Sequence, residues 1–547
     1  MKKLVNDPRR VVREMLEGLC DLHPGLALLD SEEVVVRAGL PPAEARPVAV
    51  ISGGGAGHEP AHAGYVGPGL LAGAIAGDVF TSPSVDAVLA GIRAAAGPAG
   101  AVLIVKNYTG DRLNFGLAAE LARAEGIPCE VVVVADDVAL RETVPPERRR
   151  GIAGTVLVHK LAGAAAQAGQ GVAEVAAIAR AAAAELGSMG VALGACTVPA
   201  AGKPGFALGE GEIELGLGIH GEQGVERAAM APADALVERM LDTILDDRGL
   251  AAGDRVALLV NGLGGTPPME LSVVARRAIG LLRERGLMVE RAWAGNFLTA
   301  LEMPGCSLSL LRLDEARLAL LDAPGEAPAW PGPGRIAPRQ VVAVPPGAPR
   351  SFGPPEPQAG RLRAAGLAVA AALEAAEARL TELDAAAGDG DLGLSMARGA
   401  AAIRALPEGA WGDPATALAA LGEALRRALG GSSGPFYATG LLRAARAVGE
   451  GADWPAALRA GIAAIAELGG ARPGDRTMLD ALAPAAEALA EGGLAAAAEA
   501  AEQGAAATAA MVPRLGRASY LGARAVGVPD AGAAAVAVWM RALAGAV

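Results

Sequence analysis

Three aspartates crowd into the segment Leu383 to Ser395, LDAAAGDGDLGLS: Asp384, Asp389 and Asp391. Carboxylates this close repel one another, so one must take up a proton or turn into water unless a positive charge sits among them. A hard divalent cation supplies that charge. Magnesium favours carboxylate and phosphate oxygens and keeps part of its water shell, so an all-oxygen cluster on a glycine-rich turn suits a metal that carries a nucleotide's phosphates. The residues that follow, Leu394 to Leu406, read as a helix, placing Asp391 and Gly393 at an N-terminus whose free N–H groups also attract anions. An EF-hand is a poor competitor: its twelfth position would be Ala400 counted from Asp389, or Ser395 counted from Asp384, and neither is the bidentate Glu. The competing reading is a solvated turn with an Asp as helix cap.

In the first half, Gly53, Gly54, Gly55 and Gly57 belong to GGGAGHEP (Gly53 to Pro60), read as a loop after a strand whose backbone N–H groups can approach a small ligand, with His58 projecting beside it. The spacing is neither a dinucleotide fingerprint nor a P-loop. Lys106, Asn107 and Asp111 end the neighbouring strand and offer a cation, an amide and a carboxylate base to the same pocket. A surface ion pair and a loop histidine with satisfied partners are the plainer readings. His220, between glycines in LGLGIHGEQG, could serve as base, metal ligand, phosphate carrier or nucleophile. No Cys or second His stands at metal-ligand spacing from it, which disfavours the metal. His23, His62 and His159 lack this glycine setting and read as structural.

These residues need elements to position them. Short β-branched runs at Val48 to Ser52, Val102 to Lys106 and Val131 to Val134 alternate with helical stretches at Ser84 to Ala96 and Arg112 to Glu125. That rhythm implies βαβ units and a mostly parallel sheet, with ligands at the strand carboxyl ends. After a helical region near Gly171 to Leu186, a second α/β segment has strands at Val256 to Asn261, Met288 to Trp293 and Ser307 to Leu313, and its own glycine-rich loop, Gly262 to Pro268. From Ala323 to Gln358, eleven of the 37 prolines fall in 36 residues, reading as a linker. At about 3.1 Å per residue it reaches roughly 100 Å. Beyond it, alanine-rich amphipathic stretches predict helices only, with glycine clusters at Gly430 to Gly434, Gly469 to Gly474 and Gly527 to Gly532 gathering at one end of a bundle. The fold class is therefore multidomain: an α/β subdomain over 1–190, a second over 191–322 carrying His220, a Pro-rich linker over 323–358 and an all-α domain over 359–547.

The 547 residues suit about three domains. A net charge of -12 disfavours nucleic acid or an anionic membrane as partner and leaves small-molecule chemistry. Four cysteines without a CxxC pair indicate neither a disulfide framework nor zinc, but thiols in a reducing compartment. The N-terminal MKKLVNDPRRVVREMLEGL reads as a charged amphipathic helix rather than a signal peptide, and apolar runs such as Gly67 to Gly77 are too short to span a bilayer. A cytoplasmic protein is expected. Five lysines stand against 43 arginines, and five histidines occur in all, so Lys106, His58 and His220 are informative by rarity.

ISGGGAGHEP, IVKNYTGDRLNFG, ELGLGIHGEQG, LDAAAGDGDLG, GGSSGP, GGARPGDRTMLDAL and GRASYLG occur in that order over nearly the whole chain. The series resembles the single-chain ATP-dependent dihydroxyacetone kinases. The resemblance implies a ketone-binding domain first and an eight-helix nucleotide-binding barrel last. It implies that His220 adds through a ring nitrogen to the substrate carbonyl as a covalent hemiaminal, and that His58 and Asp111 orient and deprotonate the attacking hydroxyl. Gly53, Gly54, Gly55, Gly57 and Lys106 would line that pocket. Asp384, Asp389 and Asp391 would hold two magnesium ions. Leu392, Gly393, Leu394, Ser395, Ser432, Ser433, Gly469, Thr477, Met478, Arg517, Pro529, Asp530 and Gly532 would surround ATP. The family's Asp-Pro-Gly is here Asp530, Ala531, Gly532, which is expected to loosen one nucleotide loop.

A hemiaminal needs a ketone or aldehyde, so glycerol should be rejected, and activity should fall as His220 protonates. The expected product is dihydroxyacetone phosphate. Erythrulose or glyceraldehyde are alternative substrates, and FAD cyclisation with manganese is an alternative activity. Recharging of bound ADP by a phosphotransfer-system carrier, and a non-catalytic ketone sensor, are alternatives of other classes. A homodimer is expected, and the linker length permits a domain-swapped one.

Overall fold

The computed structural model describes residues 2–222, 224–345, 352, 354 and 357–547. Two compact units divide at residue 341, and each is taken by itself.

The first unit holds two six-stranded sheets. The strands of the first are β1 (Leu26–Leu28), β2 (Val34–Arg37), β3 (Ala49–Ala56), β4 (Gly73–Val79), β5 (Ala101–Lys106) and β6 (Cys129–Val134), in the order β1-β2-β4-β3-β5-β6. β4, β3, β5 and β6 run parallel, as the rhythm predicts, while β1 and β2 are added antiparallel. Side chains alternate across a pleat, and the two faces fill accordingly. Ile51, Leu103 and Val105 join the core under the helices Val85–Ala95 and Thr109–Ala124, while Val50, Val102 and Ile104 join the core under Thr155–Gln167 and Val172–Ala184. Lys106 has the parity of Val102 and Ile104, so it points to the face covered by Thr155–Gln167.

The second sheet comprises β7 (Leu186–Ala192), β8 (Glu212–Leu215), β9 (Glu226–Ala229), β10 (Arg255–Gly262), β11 (Met288–Gly295) and β12 (Gly305–Arg312), ordered β11-β10-β12-β7-β8-β9. Only β10 and β11 are parallel. β7 pairs along its length with β12, so the second sheet begins at Leu186, ahead of the 190/191 boundary read from the sequence. LGSMGVA carries too few β-branched residues to be seen as a strand.

The proline-rich stretch does not leave the unit at residue 323. Glu326 N–H donates to Pro68 O (2.9 Å), Ala329 N–H to Gly64 O (2.8 Å) and Ala292 N–H to Gly334 O (2.8 Å). Trp330 is buried against Trp293, whose indole N–H donates to Gly332 O at 2.9 Å. Residues 323–335 are thus a strap on the first unit, and 337–345 are exposed. Residues 346–351, 353, 355 and 356 of the expected linker lie outside the described residues.

The second unit is helical throughout its described residues, from Ala359–Ala375 to Ala531–Ala546, with a break at Gly493 (φ 73°) inside Leu479–Ala507. Among the described residues no helix is long and apolar enough to cross a membrane.

Candidate active site

Gly53, Gly54 and Gly55 lie inside β3, which runs on to Ala56, rather than in a loop. Their missing Cβ atoms are what the fold needs. A Cβ on Gly53 would stand 2.4 Å from Ile75 O, and one on Gly55 would stand 2.5 Å from Thr81 N. On Gly54 it would come within 2.6 Å of Lys106 Nζ and 3.3 Å of Asp111 Oδ2, so cation and carboxylate both open onto Gly54. Gly57 (φ 94°) turns the chain beneath Phe80 and delivers His58. Gly54 also sits at φ 149°, which side chains rarely adopt, so Gly54→Ala should fill the pocket and strain the end of β3 together, lowering the melting temperature as well. Overpacking of about 1–3 kcal/mol predicts a rise in ketone KM of about tenfold or more, with the KM for nucleotide unchanged, in steady-state assays.

His58 is fully buried, and its Nδ1–H donates to Thr299 O at 2.7 Å, across to the second sheet's loops. Its Nε2 has no hydrogen-bond partner among the described residues. Burial first, then the nearby His220 and Lys106, push its pKa well below the usual imidazole value, so Nε2 is a free lone pair at neutral pH. His220, from the β8–β9 connection, meets His58 edge-on at a centroid separation of 4.8 Å, with Tyr108 at 4.5 Å and Phe80 at 5.2 Å. Its Nδ1 lies 3.1 Å from Glu222 Oε1, while Glu222 Oε2 accepts the His220 backbone N–H at 2.9 Å. Burial pulls the Glu222 carboxyl upward, but the His220 hydrogen bond and charge outweigh it and hold it at about 2. An ionised Glu222 can only accept, so Nδ1 carries the ring proton and His220 Nε2 is left as the nucleophilic nitrogen.

Asp111, in the first turn of Thr109–Ala124, accepts the Ser82 hydroxyl. Lys106 is fully buried. Asn107 does not join the pocket as the sequence suggested: its amide donates to Glu147 O (3.0 Å) and Arg149 O (2.6 Å). Phe80, Ser82, Tyr108, Glu222 and Thr299 were missed in the sequence.

In the helical unit, one carboxylate oxygen from each of Asp384, Asp389 and Asp391 lies within 4.8 Å of the others. Asp384 Oδ2 accepts the N–H of Asp391 at 2.9 Å, and Arg517 pairs with Asp389. Gly388 is required here, since a Cβ would stand 2.4 Å from Asp384 Oδ1. Three oxygen donors at this spacing fit a hard divalent cation. Asp391 starts the helix Leu392–Arg404, and Gly430 of the next glycine cluster approaches Ser395, while Ser432 and Ser433 open the helix Ser433–Gly449. Leu394 is exposed, whereas Leu392, Gly393 and Ser395 are buried, with Gly393 packed on Glu377 O and Thr381.

Thr477 Oγ1 accepts the Leu479 N–H at 3.2 Å, and Met478 lies beside Gly532. Gly469 packs on Phe436. Ala531 is the first residue of its helix, a position where proline is tolerated rather than required. Asp530 still caps Ala533 N at 2.8 Å, and its own N–H donates to Thr508 Oγ1 at 2.8 Å, while Val528 O ahead of Pro529 accepts from Arg476 at 2.7 Å. These bonds hold the turn at Asp530 without the proline.

Residues 17–329 match the Dak1 domain and residues 386–545 match the DAK2 domain. Joined in one chain, they make this a small-molecule kinase. Triokinase/FMN cyclase of Homo sapiens is 44% identical over 569 residues, covering 99% of this chain and 98% of that protein. D-erythrulose kinase of Mycolicibacterium smegmatis is 40% identical over 583 residues, covering 100% and 99%. The crystal structure of the dihydroxyacetone kinase from C. freundii in complex with AMP-PNP and Mg2+ superposes with a TM-score of 0.66 at 38% identity over 100% of both chains. The chain belongs to the dihydroxyacetone kinase family.

Proposed function

We propose that the protein is a magnesium- and ATP-dependent kinase of short α-hydroxycarbonyl compounds, dihydroxyacetone foremost, and that it holds its substrate as a hemiaminal on His220. The observation that carries this is the orientation of His220, with Nδ1–H on Glu222 and Nε2 unengaged among Phe80, Tyr108 and His58.

The Nε2 lone pair adds to the carbonyl carbon, and the π pair of C=O moves to oxygen, which then takes up a proton. The positive charge that develops on the ring lies at Nδ1–H against Glu222. Lys106 and Asp111, meeting over Gly54, fix the hydroxyl groups. Asp111 or the bare Nε2 of His58 receives the proton of the hydroxyl that attacks the γ-phosphorus, as the bond from that phosphorus to the oxygen of ADP breaks. Magnesium bound by Asp384, Asp389 and Asp391 supplies neutralisation of the nucleotide's phosphate charge. Arg517, Ser432, Ser433, Thr477 and Met478, with Leu392 to Ser395, Gly469 and the Pro529 to Gly532 turn, are assigned to the nucleotide.

Selection of ketone over polyol follows from the bond, since glycerol offers no carbonyl. The names of the relatives support erythrulose and flavin as further substrates to be assayed. The acidic trio, which a ketone sensor does not need, and the presence of both domains in one chain favour free ATP over a phosphorylated carrier. A cytoplasmic homodimer goes with this reading, and sedimentation tests the dimer.

The test is ADP release by purified protein with magnesium, ATP and, separately, dihydroxyacetone, erythrulose, glyceraldehyde and glycerol, beside FAD with manganese. Turnover of the carbonyl compounds and none of glycerol is expected. Equal turnover of glycerol would remove the covalent anchor, and inertness towards every carbonyl compound would remove the kinase.

A further inference from the structure

Behind the ketone pocket a line of polar groups runs from Lys106 to His62, His159 and Ser52, and the chemistry above leaves the last three unused. Lys106 Nζ is 2.8 Å from His62 Nε2 and 3.4 Å from Gly53 O. His62 Nδ1 is 3.0 Å from His159 Nε2 and 3.4 Å from Ser52 Oγ. Ser52, Lys106 and His159 are fully buried and His62 is 6% exposed. They come from three elements: β3 and the loop after it, the end of β5, and the helix Thr155–Gln167.

Hydrogen-bond logic allows one direction only. An ammonium has donors and no acceptor, so His62 must present a lone pair at Nε2 and carry its proton at Nδ1. That proton needs an acceptor. The Ser52 hydroxyl is already donated to Ile104 O at 2.7 Å, and His159 faces His62 with Nε2, so both accept. His159 then keeps its proton on Nδ1, which has no partner. The titratable groups facing this line are Asp111, His58, Tyr65 against the His159 ring, and the three members themselves. A protonated His62 would place two cations at hydrogen-bond distance in a buried site, so both rings stay neutral.

We propose that His62, its tautomer fixed by His159 and Ser52, is a positioning residue for ketone phosphorylation: it engages one N–H of Lys106, a second lies towards Gly53 O, and the third is thereby turned to the substrate oxygens above Gly54. This role rests on the kinase reading above and replaces the structural role expected for His62 and His159 from sequence. A core histidine needs only to be buried; this one is addressed at both nitrogens, and its first partner lines the pocket.

The test uses full-length protein, with ketone varied at saturating ATP and ATP varied at saturating ketone. A hydrogen bond to a charged group predicts that His62→Leu lowers kcat/KM for ketone by roughly 10- to 100-fold, mostly through KM, with the ATP KM unchanged. The alkaline limb of the ketone kcat/KM profile should move to lower pH, because Lys106 loses the acceptor that favours its charged form. His62→Gln, which restores an acceptor oxygen, should recover most of the loss, and His159→Leu should show a smaller effect of the same kind. Five histidines in the chain also allow ring-nitrogen NMR on histidine-labelled protein, with His62 and His159 expected in the Nδ1–H form and His62 changing in Lys106→Met.

A His62→Leu enzyme with parental ketone KM and alkaline limb, a Gln variant as impaired as Leu, or an Nε2-protonated His62 would each overturn the role while leaving the kinase standing. A parent protein inert towards all carbonyl substrates would instead bring down the kinase reading and this role together.

Discussion

His220→Ala is expected to lower kcat/KM for dihydroxyacetone by about a thousandfold or more, because it removes the anchor that makes attack by the substrate hydroxyl effectively intramolecular. The ring is half-buried in a loop of glycines, and among the described residues its hydrogen bond goes to Glu222. Its loss costs the ring contacts with His58, Phe80 and Tyr108 but no backbone partner, so the unit should stay folded with a modestly lower melting temperature. Nucleotide binding should also persist, since the acidic trio belongs to the other unit. Coupled ADP release and calorimetric titration with MgATP measure the two effects separately. Retention of more than about a tenth of the parental activity, against the tenfold-per-1.4 kcal/mol scale of rate effects, would mean that the carbonyl is recognised by hydrogen bonds only.

Asp389→Asn should produce the second large effect. Replacing one anionic oxygen in a cluster of three weakens attraction for a divalent cation and for the phosphates it neutralises. A loss of about 10²- to 10³-fold in kcat/KM for ATP is expected, partly restored by raised magnesium. Asp389 is chosen because it is exposed and its recorded partner is Arg517. Asp384→Asn would be harder to interpret, as Asp384 Oδ2 also accepts the backbone N–H groups of Asp391 and Leu392. Magnesium titrations at fixed ATP, beside a melting curve, measure the change. An unaltered magnesium dependence would remove Asp389 from the metal site.

The acidic trio was legible because its chemistry is local: three carboxylates on one glycine-rich turn must meet wherever the helices go. The β-branched strands β3, β5, β6, β10, β11 and β12 were legible for the same reason. β4 and β7 were not, since GAIAGDV and LGSMGVA use glycine where close packing, not propensity, decides. Gly53 to Gly55 show the opposite error: glycines read as a loop are strand residues that lack side chains because Ile75, Lys106 and Thr81 come so near. His58, Lys106, Asp111 and His220 could be named individually, yet Thr299 and Phe80 have no meaning until two sheets face each other. Glu222 alone carried a signal, a carboxylate two positions after His220 in the same turn. His62 and His159 were set aside for lacking glycine neighbours, although a line of buried donors needs none.

The two sheets of the first unit each contribute to one pocket: His58, Lys106 and Asp111 from the first, His220 and Thr299 from the second. A substrate attached to His220 and gripped by Lys106 and Asp111 would then be a removable cross-link between two sheets that share one buried cluster, Val50, Val102 and Ile104 on one side and Ala257, Leu259 and Leu311 on the other. By mass action, ketone at a hundred times its dissociation constant adds about 2.7 kcal/mol to the unfolding free energy of the whole unit. Amide hydrogens in β3 and around β8 should slow their exchange together when ketone is added, although these strands share no hydrogen bond. Metabolite supply would then set the unit's resistance to proteolysis as well as its rate of catalysis.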